Sequence, residues 1–340
     1  MRFAVETWAP DYGASVDSAS MMSRPEVDSI TGRWAGVGPD GSEAAVDPSV
    51  EYEAAAWAPV RPRAGATPAG CVLFVDGVQR IDARIWATGD RTGEETRQGV
   101  CASWAAGVVR CGEGRARVVA AEVRRGVLLP GDPAGPIVTR HGDYQPYPVP
   151  DSSGDPISQA LGRARGDLEG RVAVTAMGAD RGPTGAAAGE LLVVDGPLGD
   201  RRHIPGAVGY VKTHHVSYLP ADLQRVVTAL DAGDRTPLFA IGDRRFRYSW
   251  YLRLPGAATH PWWGIVRCEA SGDLTRAEAV ALADRVTATL PRFASQPHND
   301  PRAPQNLHPI AGLERELRRR LGDPVLLERS LRRAARDAAA

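Results

Sequence analysis

The sequence predicts a mixed α/β protein built around one central sheet that is flanked by helices. Short apolar runs rich in Val, such as CVLFVDGV from residue 71 and LLVVDGPL from residue 191, are typical of buried strands. Apolar residues at steps of three and four, as in DPISQALGRARGDLEGRVAV from residue 155, indicate an amphipathic helix. Strands and helices follow one another along the chain, which favours a single α/β architecture.

The first 68 residues are rich in Gly, Pro, Ser and Asp and show little periodicity. We expect a short first strand followed by a loop-rich arm over residues 1–68. Residues 69–311 are predicted to form the main domain, and residues 312–340 a C-terminal helical segment with a break at Gly322–Pro324.

Ordered elements are predicted from Cys71 onwards. The segments CVLFVDGV, IDARIWA, CASWAAGVVRC and RARVVAAEVRRGVLL predict a meander of three to four strands. The helix that follows has one apolar face, formed by Ile157, Leu161, Ala164, Leu168 and Val172. Further along, PADLQRVVTALDAG and LTRAEAVALADRVTATL predict helices, while TPLFAIG, RYSWYLRLPG and WWGIVRCEA predict additional strands.

Composition limits the classes of function. The 41 basic and 41 acidic residues give a net charge of zero, so no global field attracts the chain to nucleic acid. No run approaches the roughly 18–20 apolar residues that a membrane span needs. The N-terminus shows no signal pattern, so we expect a cytoplasmic protein without a membrane partner. The four cysteines are scattered and predict small core residues in a reducing compartment.

Lys212 is the only lysine among the 41 basic residues, and all the others are arginine. A compact ammonium group is hard to replace by a guanidinium where a point charge is needed. Lys212 is therefore a candidate for chemistry, with an ordinary surface residue as the alternative interpretation.

Two segments, LFVDG and LVVDG, each bring a buried strand into Asp-Gly. A bare carboxylate is costly inside a strand that is apolar on both faces, but at the strand's end it can point into a cleft. If the two strands are neighbours, Asp76 and Asp195 converge at one rim of the sheet. Asp-Gly is also a common hairpin signal, so a turn remains the alternative for Asp76. Asp195 fits a turn less well, because Pro197 follows and no returning strand is evident.

A third carboxylate would complete a site for divalent metal ions. The preceding helix and the start of the second strand offer Asp167, Glu169 and Glu190. Glu169 is favoured because it lies beside the apolar face of the helix, with a solvated surface charge as the alternative. Oxygen ligands suit Mg²⁺ or Mn²⁺, and a pair of such ions about 3.5–4 Å apart can hydrolyse a phosphodiester. Lys212 could then bind the phosphate.

Several common enzyme classes are excluded by missing motifs. The run from Gly206 to Thr213 resembles a phosphate-binding P-loop, but Val211 stands where a glycine is needed, so we expect no P-loop ATPase. The sequence has no G-x-S-x-G, no H-E-x-x-H and no G-x-G-x-x-G after a strand.

The order of short motifs resembles the NurA nucleases, whose core is ribonuclease-H-like. The motifs are FVDG, GDLEG, VVDGPL, GYVK, RYSWYLRL, GIVRCE and APQNLHPI, over roughly residues 70–330. The resemblance implies an RNase H-like mixed sheet with additional strands and a C-terminal helix. It implies that Asp76, Glu169 and Asp195 are ligands of Mn²⁺ (or Mg²⁺), beside Lys212. Many members have a late His, for which His308 is the nearest candidate, and Val78 stands where the family has Ser.

The resemblance also implies partners. NurA nucleases act on DNA beside a HerA-type hexameric ATPase in end processing, and a homodimer is expected by the same likeness. Repair and defence against foreign DNA both remain open. The alternative function is a catalytically inactive NurA-like adaptor that docks on a translocase, because Val78 replaces the hydroxyl residue. A third, weaker alternative is a ribonuclease-H-like enzyme acting on RNA or junctions.

Overall fold

The computed structural model describes residues 1–6, 45–88, 96–131, 135–150, 155–179, 190–214, 218–242, 246–256 and 259–339. These residues form one sheet of eleven strands and five α-helices. The strands are β1 (Arg2–Val5), β2 (Ala45–Asp47), β3 (Cys71–Thr88), β4 (Arg97–Gly112), β5 (Arg115–Leu128), β6 (Gln145–Tyr147), β7 (Glu190–Asp195), β8 (Ala207–Val211), β9 (Phe239–Gly242), β10 (Arg247–Arg253) and β11 (Ile265–Ser271). The helices are α1 (Pro156–Ala179), α2 (Ala221–Thr228), α3 (Arg276–Thr289), α4 (His308–Arg320) and α5 (Pro324–Ala339). The predicted fold class, a mixed α/β sheet flanked by helices, is confirmed.

The centre of the sheet has the strand order β5-β4-β3-β7-β8. Strands β3, β4 and β5 form an antiparallel meander, and β7 and β8 run parallel to β3. Strands β11, β10, β9 and β2 extend the sheet beyond β8, β6 extends it beyond β5, and β1 pairs with the far end of β3. The parallel pair β3–β7 at the centre positions the candidate site.

Helices cover both faces of the sheet. Helix α1 packs its predicted apolar face on one side, where Leu161, Ala164, Leu168 and Val172 are buried. Asp155 caps this helix by accepting a hydrogen bond from the Ser158 amide at 3.1 Å. Helices α3 and α4 cover the opposite face, where they pack on the inward side chains of β3, β8, β10 and β11. The core therefore has two layers separated by the sheet.

The C-terminal segment breaks where the sequence predicts. Helix α4 ends at Arg320, Gly322 adopts a left-handed φ of 86°, and α5 begins at Pro324. Helix α5 packs against β1 and the end of β3. The predicted domain boundary between residues 311 and 312 falls within α4. No helix in the described ranges is long and apolar enough to span a membrane.

The predicted strand end at Asp76 is wrong, and so is its alternative, a hairpin turn at Asp76-Gly77. Strand β3 continues through both residues as far as Thr88, so CVLFVDGV and IDARIWA belong to one strand. The reason is the long partner β4, which pairs with β3 on both sides of this point, Asp76 with Gly107 and Gly77 with Ala106. Continuous ladder pairing overrides the local turn preference of Asp-Gly.

The predicted N-terminal arm is partly ordered into the sheet. Residues 2–5 and 45–47 form β1 and β2, which pair with β3 and β9. Residues 7–44 of the arm lie outside the described residues.

Candidate active site

The candidate site lies where β3 loses its parallel neighbour. The β3–β7 register ends at the pair Val75 and Val194, and Asp76 and Asp195 are the next residue on each strand. Beyond Asp195 the chain turns away, and the Gly196 amide donates a hydrogen bond to the Tyr210 carbonyl at 2.8 Å. Adjacent parallel strands in register therefore bring these two aspartates to the same point of the sheet.

Asp76 is a buried carboxyl with little hydrogen bonding. Its side chain is 8% exposed and accepts one hydrogen bond in the described structure, from the amide of Gly77 at 2.7 Å. Burial, followed by the charges of Asp195 and Glu169, raises the pKa of Asp76 well above its ordinary value. Lys212 and the Gly77 amide lower this pKa, but they do not offset the increase. The group is therefore destabilised in its charged form unless another cation approaches.

Glu169 reaches the site from helix α1 across the gap left by Gly77. A Cβ at Gly77 would lie 2.5 Å from Oε1 of Glu169 and 2.8 Å from Cγ of Arg165. A side chain at this strand position would displace the Glu169 carboxylate from the backbone of β3, so glycine leaves room for it. The Asp-Gly pattern has a packing reason here, and it does not make a turn.

Two arginines contact Glu169. Nη1 of Arg201 lies 2.5 Å from Oε2 of Glu169, and Nε of Arg165 lies 3.4 Å from Oε1. Arg201 also donates from Nη2 to the Pro197 carbonyl at 2.9 Å. The side chains of Glu169 and Arg201 are only 5% and 6% exposed, so this ion pair is shielded from water. Such a pair is costly to break once formed, because either partner alone would be a buried charge.

Asp195 has one paired oxygen and one unpaired oxygen. Lys212, directly after β8, places its Nζ 2.6 Å from Oδ2 of Asp195. Oδ1 of Asp195 is buried and has no hydrogen-bond partner among the described residues. Buried polar atoms are usually satisfied, so an orphaned carboxylate oxygen indicates that a ligand, ion or water belongs there.

Lys212 is held from its other side by a polar relay. Its Nζ donates to Oδ1 of Asn306 at 3.1 Å, and Nδ2 of the same amide donates to Oδ2 of Asp300 at 2.6 Å. Asn306 is fully buried in the segment before α4. The only lysine in the chain is therefore fixed between a candidate metal ligand and a structural amide.

The turn after β7 is fixed by Glu269 of β11. Oε2 of Glu269 accepts a hydrogen bond from the Leu198 amide at 2.9 Å. Burial raises the pKa of Glu269, but the neighbouring Arg267 and Arg247 outweigh it and lower the pKa to about 2. This charged carboxylate positions the turn that carries both Asp195 and Arg201.

Asp167, Glu190 and His308 make no described hydrogen bond or ion pair with the three carboxylates. Asp167 is exposed on α1, where partial desolvation raises its pKa, while Glu190 pairs with Arg110 at 2.9 Å at the other end of β7. His308 is exposed at the first turn of α4 and makes no described contact with the three carboxylates. Val78 is buried in the core under α3 and α4. A role for His308 stays a prediction.

The structure adds Arg201, Arg165 and Asn306, which the sequence did not single out. Nothing in the sequence distinguishes Arg165 and Arg201 from the many other arginines of this chain. Asn306 lies within the motif APQNLHPI, but its contact with Lys212 bridges 94 residues of sequence. No local pattern reports a contact of that range.

The donor set partly fits a divalent cation. Asp76 and Asp195 offer oxygen ligands, one of them unpaired, and oxygen is what Mg²⁺ and Mn²⁺ prefer. Glu169 differs, because both of its oxygens already face arginine nitrogens. Within the described residues, no group of three or more His, Cys, Asp or Glu side chains stands ready to hold a metal ion. The two aspartates are therefore the residues that fit an ion best.

The chain is similar to the crystal structure of the NurA nuclease from Sulfolobus solfataricus, with a TM-score of 0.45 and 10% sequence identity. The likeness covers 77% of this chain and 81% of that chain. No protein-family profile and no curated protein sequence matches the chain.

Proposed function

We propose that this protein is a metal-dependent DNA nuclease that hydrolyses phosphodiester bonds at the site of Asp76, Asp195 and Lys212. One observation carries the proposal. The buried Asp76 and the half-buried Asp195 lie side by side at the end of a parallel ladder, and the buried Oδ1 of Asp195 has no partner in the described structure. The two aspartates share one close cation, Lys212, so the pair keeps a negative charge that suits a divalent cation.

The chain's residues have distinct parts in this proposal. Asp76 and Asp195 would hold Mn²⁺ or Mg²⁺, which when bound supplies Lewis-acid stabilisation of the phosphate and an activated water. Lys212 supplies a fixed positive charge beside Asp195, where it can bind a phosphate oxygen and stabilise charge that develops on it. Asn306 orients this ammonium. Glu269 keeps the turn after Asp195 in place.

Cleavage assays with matched variants test the proposal. Asp76→Asn and Asp195→Asn should each lower Mn²⁺-dependent cleavage of linear DNA by at least about 100-fold, as removal of a transition-state contact does. Glu190→Gln is the control, because Glu190 lies on the same strand as Asp195 but at its opposite end. Cleavage that persists in both aspartate variants, or that is unaffected by EDTA, contradicts the proposal.

The finer expectations belong to the same proposal. A preference for Mn²⁺, a homodimer, and action beside a HerA-type hexameric ATPase in DNA end processing all derive from the sequence resemblance. Co-expression with such an ATPase, followed by size-exclusion chromatography with light scattering, measures both the self-association and the complex. We expect a stable complex whose cleavage rate exceeds that of the nuclease alone.

A second candidate function is a non-catalytic adaptor that docks on a translocase. The observation favouring it is the pairing of Glu169 with Arg201 and Arg165, which leaves the third predicted ligand already neutralised. An adaptor should bind no Mn²⁺ in a calorimetric titration and should form the same complex with the ATPase. Binding of Mn²⁺ that disappears in Asp195→Asn decides for the nuclease.

A further inference from the structure

Two of the three carboxylates at the site already form a close ion pair with a basic side chain. Lys212 lies 2.6 Å from Asp195, and Arg201 lies 2.5 Å from Glu169. The side chains of the Glu169–Arg201 pair are buried. Its carboxylate lies against the backbone at Gly77, and Nη2 of Arg201 is bound to the Pro197 carbonyl.

The arginines also change how much charge the site can accept. Asp76, Glu169 and Asp195 face three protein cations, namely Lys212, Arg201 and Arg165. One divalent ion gives such a site a net charge of about +2, which suits an anionic phosphodiester. Two divalent ions would give about +4 in a shielded place, where like charges repel strongly.

We propose that this site takes a single divalent ion, held by Asp76 and Asp195. Arg201 fills the position on Glu169 that a second ion would need, and it supplies part of the charge of that ion. This inference rests on the proposed function, and it replaces the pair of ions that the acidic residues alone suggest. Arg201 is a positioning residue here, since it acts through Glu169.

The orphaned oxygen supports the assignment of the single position. Oδ1 of Asp195 is the carboxylate oxygen of the three that is both buried and without a partner in the described residues. Both oxygens of Glu169 face arginine nitrogens within 3.4 Å. A carboxylate oxygen is therefore available to an ion on the Asp76–Asp195 side, whereas the oxygens of Glu169 already contact arginine.

Calorimetric titration of the full chain with MnCl₂ measures the stoichiometry directly. We expect about one Mn²⁺ per chain for the wild type and about two for Arg201→Gln, because Oε2 of Glu169 then loses its arginine partner. Arg202→Gln is the matched control, since Arg202 is exposed in the same short helix, and it should keep a stoichiometry of one. Circular dichroism checks that each variant is folded.

An independent measurement avoids dependence on the Arg201 variant. Electron paramagnetic resonance of the wild type with excess Mn²⁺ distinguishes an isolated ion from a pair about 3.5–4 Å apart, which couples magnetically. Glu169→Gln should keep one bound Mn²⁺ with less than tenfold change in affinity, whereas Asp195→Asn should lose it.

The outcomes separate this inference from the proposed function. Two bound ions in the wild type overturn the inference and leave the nuclease proposal standing. One ion in the wild type and still one in folded Arg201→Gln overturns the role of Arg201. No bound Mn²⁺ in the wild type overturns the proposed function itself.

Discussion

Strand β3 carries two buried aspartates, six residues apart, whose surroundings are opposite. Asp82 is 3% exposed and accepts hydrogen bonds from Nε of Arg80 at 2.8 Å, from the Tyr144 hydroxyl at 2.9 Å and from the Ser103 hydroxyl. Asp76 is 8% exposed and accepts one described hydrogen bond, from its neighbouring amide. Burial, and then the neighbouring carboxylates of Asp195 and Glu169, raise its pKa well above the ordinary value.

The difference shows how to separate a structural buried charge from a functional one. Asp82 sits at a bulge of β3, where the register shifts between Ile81 and Ala83, and its donors come from three separate segments. Hydrogen-bond donors of the protein compensate the buried carboxylate of Asp82, as is usual for buried polar groups. The carboxylate of Asp76 has too few donors to compensate its charge, which costs stability and leaves a place for an external cation. Burial alone does not distinguish Asp76 from Asp82, because both residues are buried.

The largest expected effect is the loss of stability in Asp82→Ala. Removing this carboxylate leaves Arg80, Ser103 and Tyr144 without their acceptor, so the free energy of unfolding should fall by about 3–5 kcal/mol. Urea unfolding of the metal-free protein measures the change. Asp273→Ala is the control, because Asp273 is exposed, and it should stay within about 0.5 kcal/mol. A loss below about 1 kcal/mol for Asp82→Ala contradicts the comparison.

The second effect is stabilisation by the metal. Mn²⁺ at about 100 times its dissociation constant should raise the free energy of unfolding by about 2.7 kcal/mol, provided that it binds only the folded chain. Asp76→Asn should lose this gain. A folded Asp82 variant should keep it, because Asp82 contacts none of the proposed ligands. Thermal unfolding with and without Mn²⁺ provides the test, and equal gains in both variants would show that the ion binds elsewhere.

The third effect is a gain of stability in Asp76→Asn without metal. At neutral pH the uncompensated charge is removed, so we expect the free energy of unfolding to rise by about 0.5–2 kcal/mol. The sign with pH follows from the raised pKa. The folded wild type holds its proton above the ordinary value of 3.8, where the unfolded chain has lost it. Wild-type stability therefore falls relative to the variant as pH rises from about 3.8 through the raised pKa.

Urea unfolding of wild type and Asp76→Asn at several pH values tests this sign. The advantage of the variant should vanish below the ordinary aspartate pKa of 3.8, where both chains are neutral at this position in both states. A difference in the free energy of unfolding that stays constant across this pH range would show that the effect of the substitution is not electrostatic.

Asp76 and Asp195 could be predicted from sequence because each follows a buried apolar run. That pattern reports a local conflict between a charge and its surroundings, and neighbouring parallel strands then bring the two residues together. The strand boundary at Asp76 could not be predicted, because the continuous pairing of β3 depends on β4, more than twenty residues later.

Asp82 and Arg201 illustrate what local patterns leave out. Asp82 lies in IDARIWA, whose alternation predicts a polar side facing solvent, yet its partners Ser103 and Tyr144 are 21 and 62 residues away and bury it. Arg201 lies 32 residues from Glu169 in sequence. Partners that are distant in sequence decide whether a buried carboxylate is hydrogen-bonded or ion-paired. The sequence therefore identifies candidate acidic residues, but it does not show which of them already have a basic partner.

The smallest expected effect is that of Glu190→Gln, at the other end of β7 from Asp195. Glu190 pairs with Arg110 at 2.9 Å, and the two side chains are 18% and 29% exposed, so water screens much of their attraction. The loss of unfolding free energy should stay within about 1 kcal/mol. Five residue steps of about 3.3 Å place the substitution roughly 16 Å from Asp195, so Mn²⁺ affinity should change less than about twofold. If calorimetry instead shows as large a loss as in Asp195→Asn, ion binding depends on the general charge of β7, and the contrast between a satisfied and an incomplete carboxylate does not explain it.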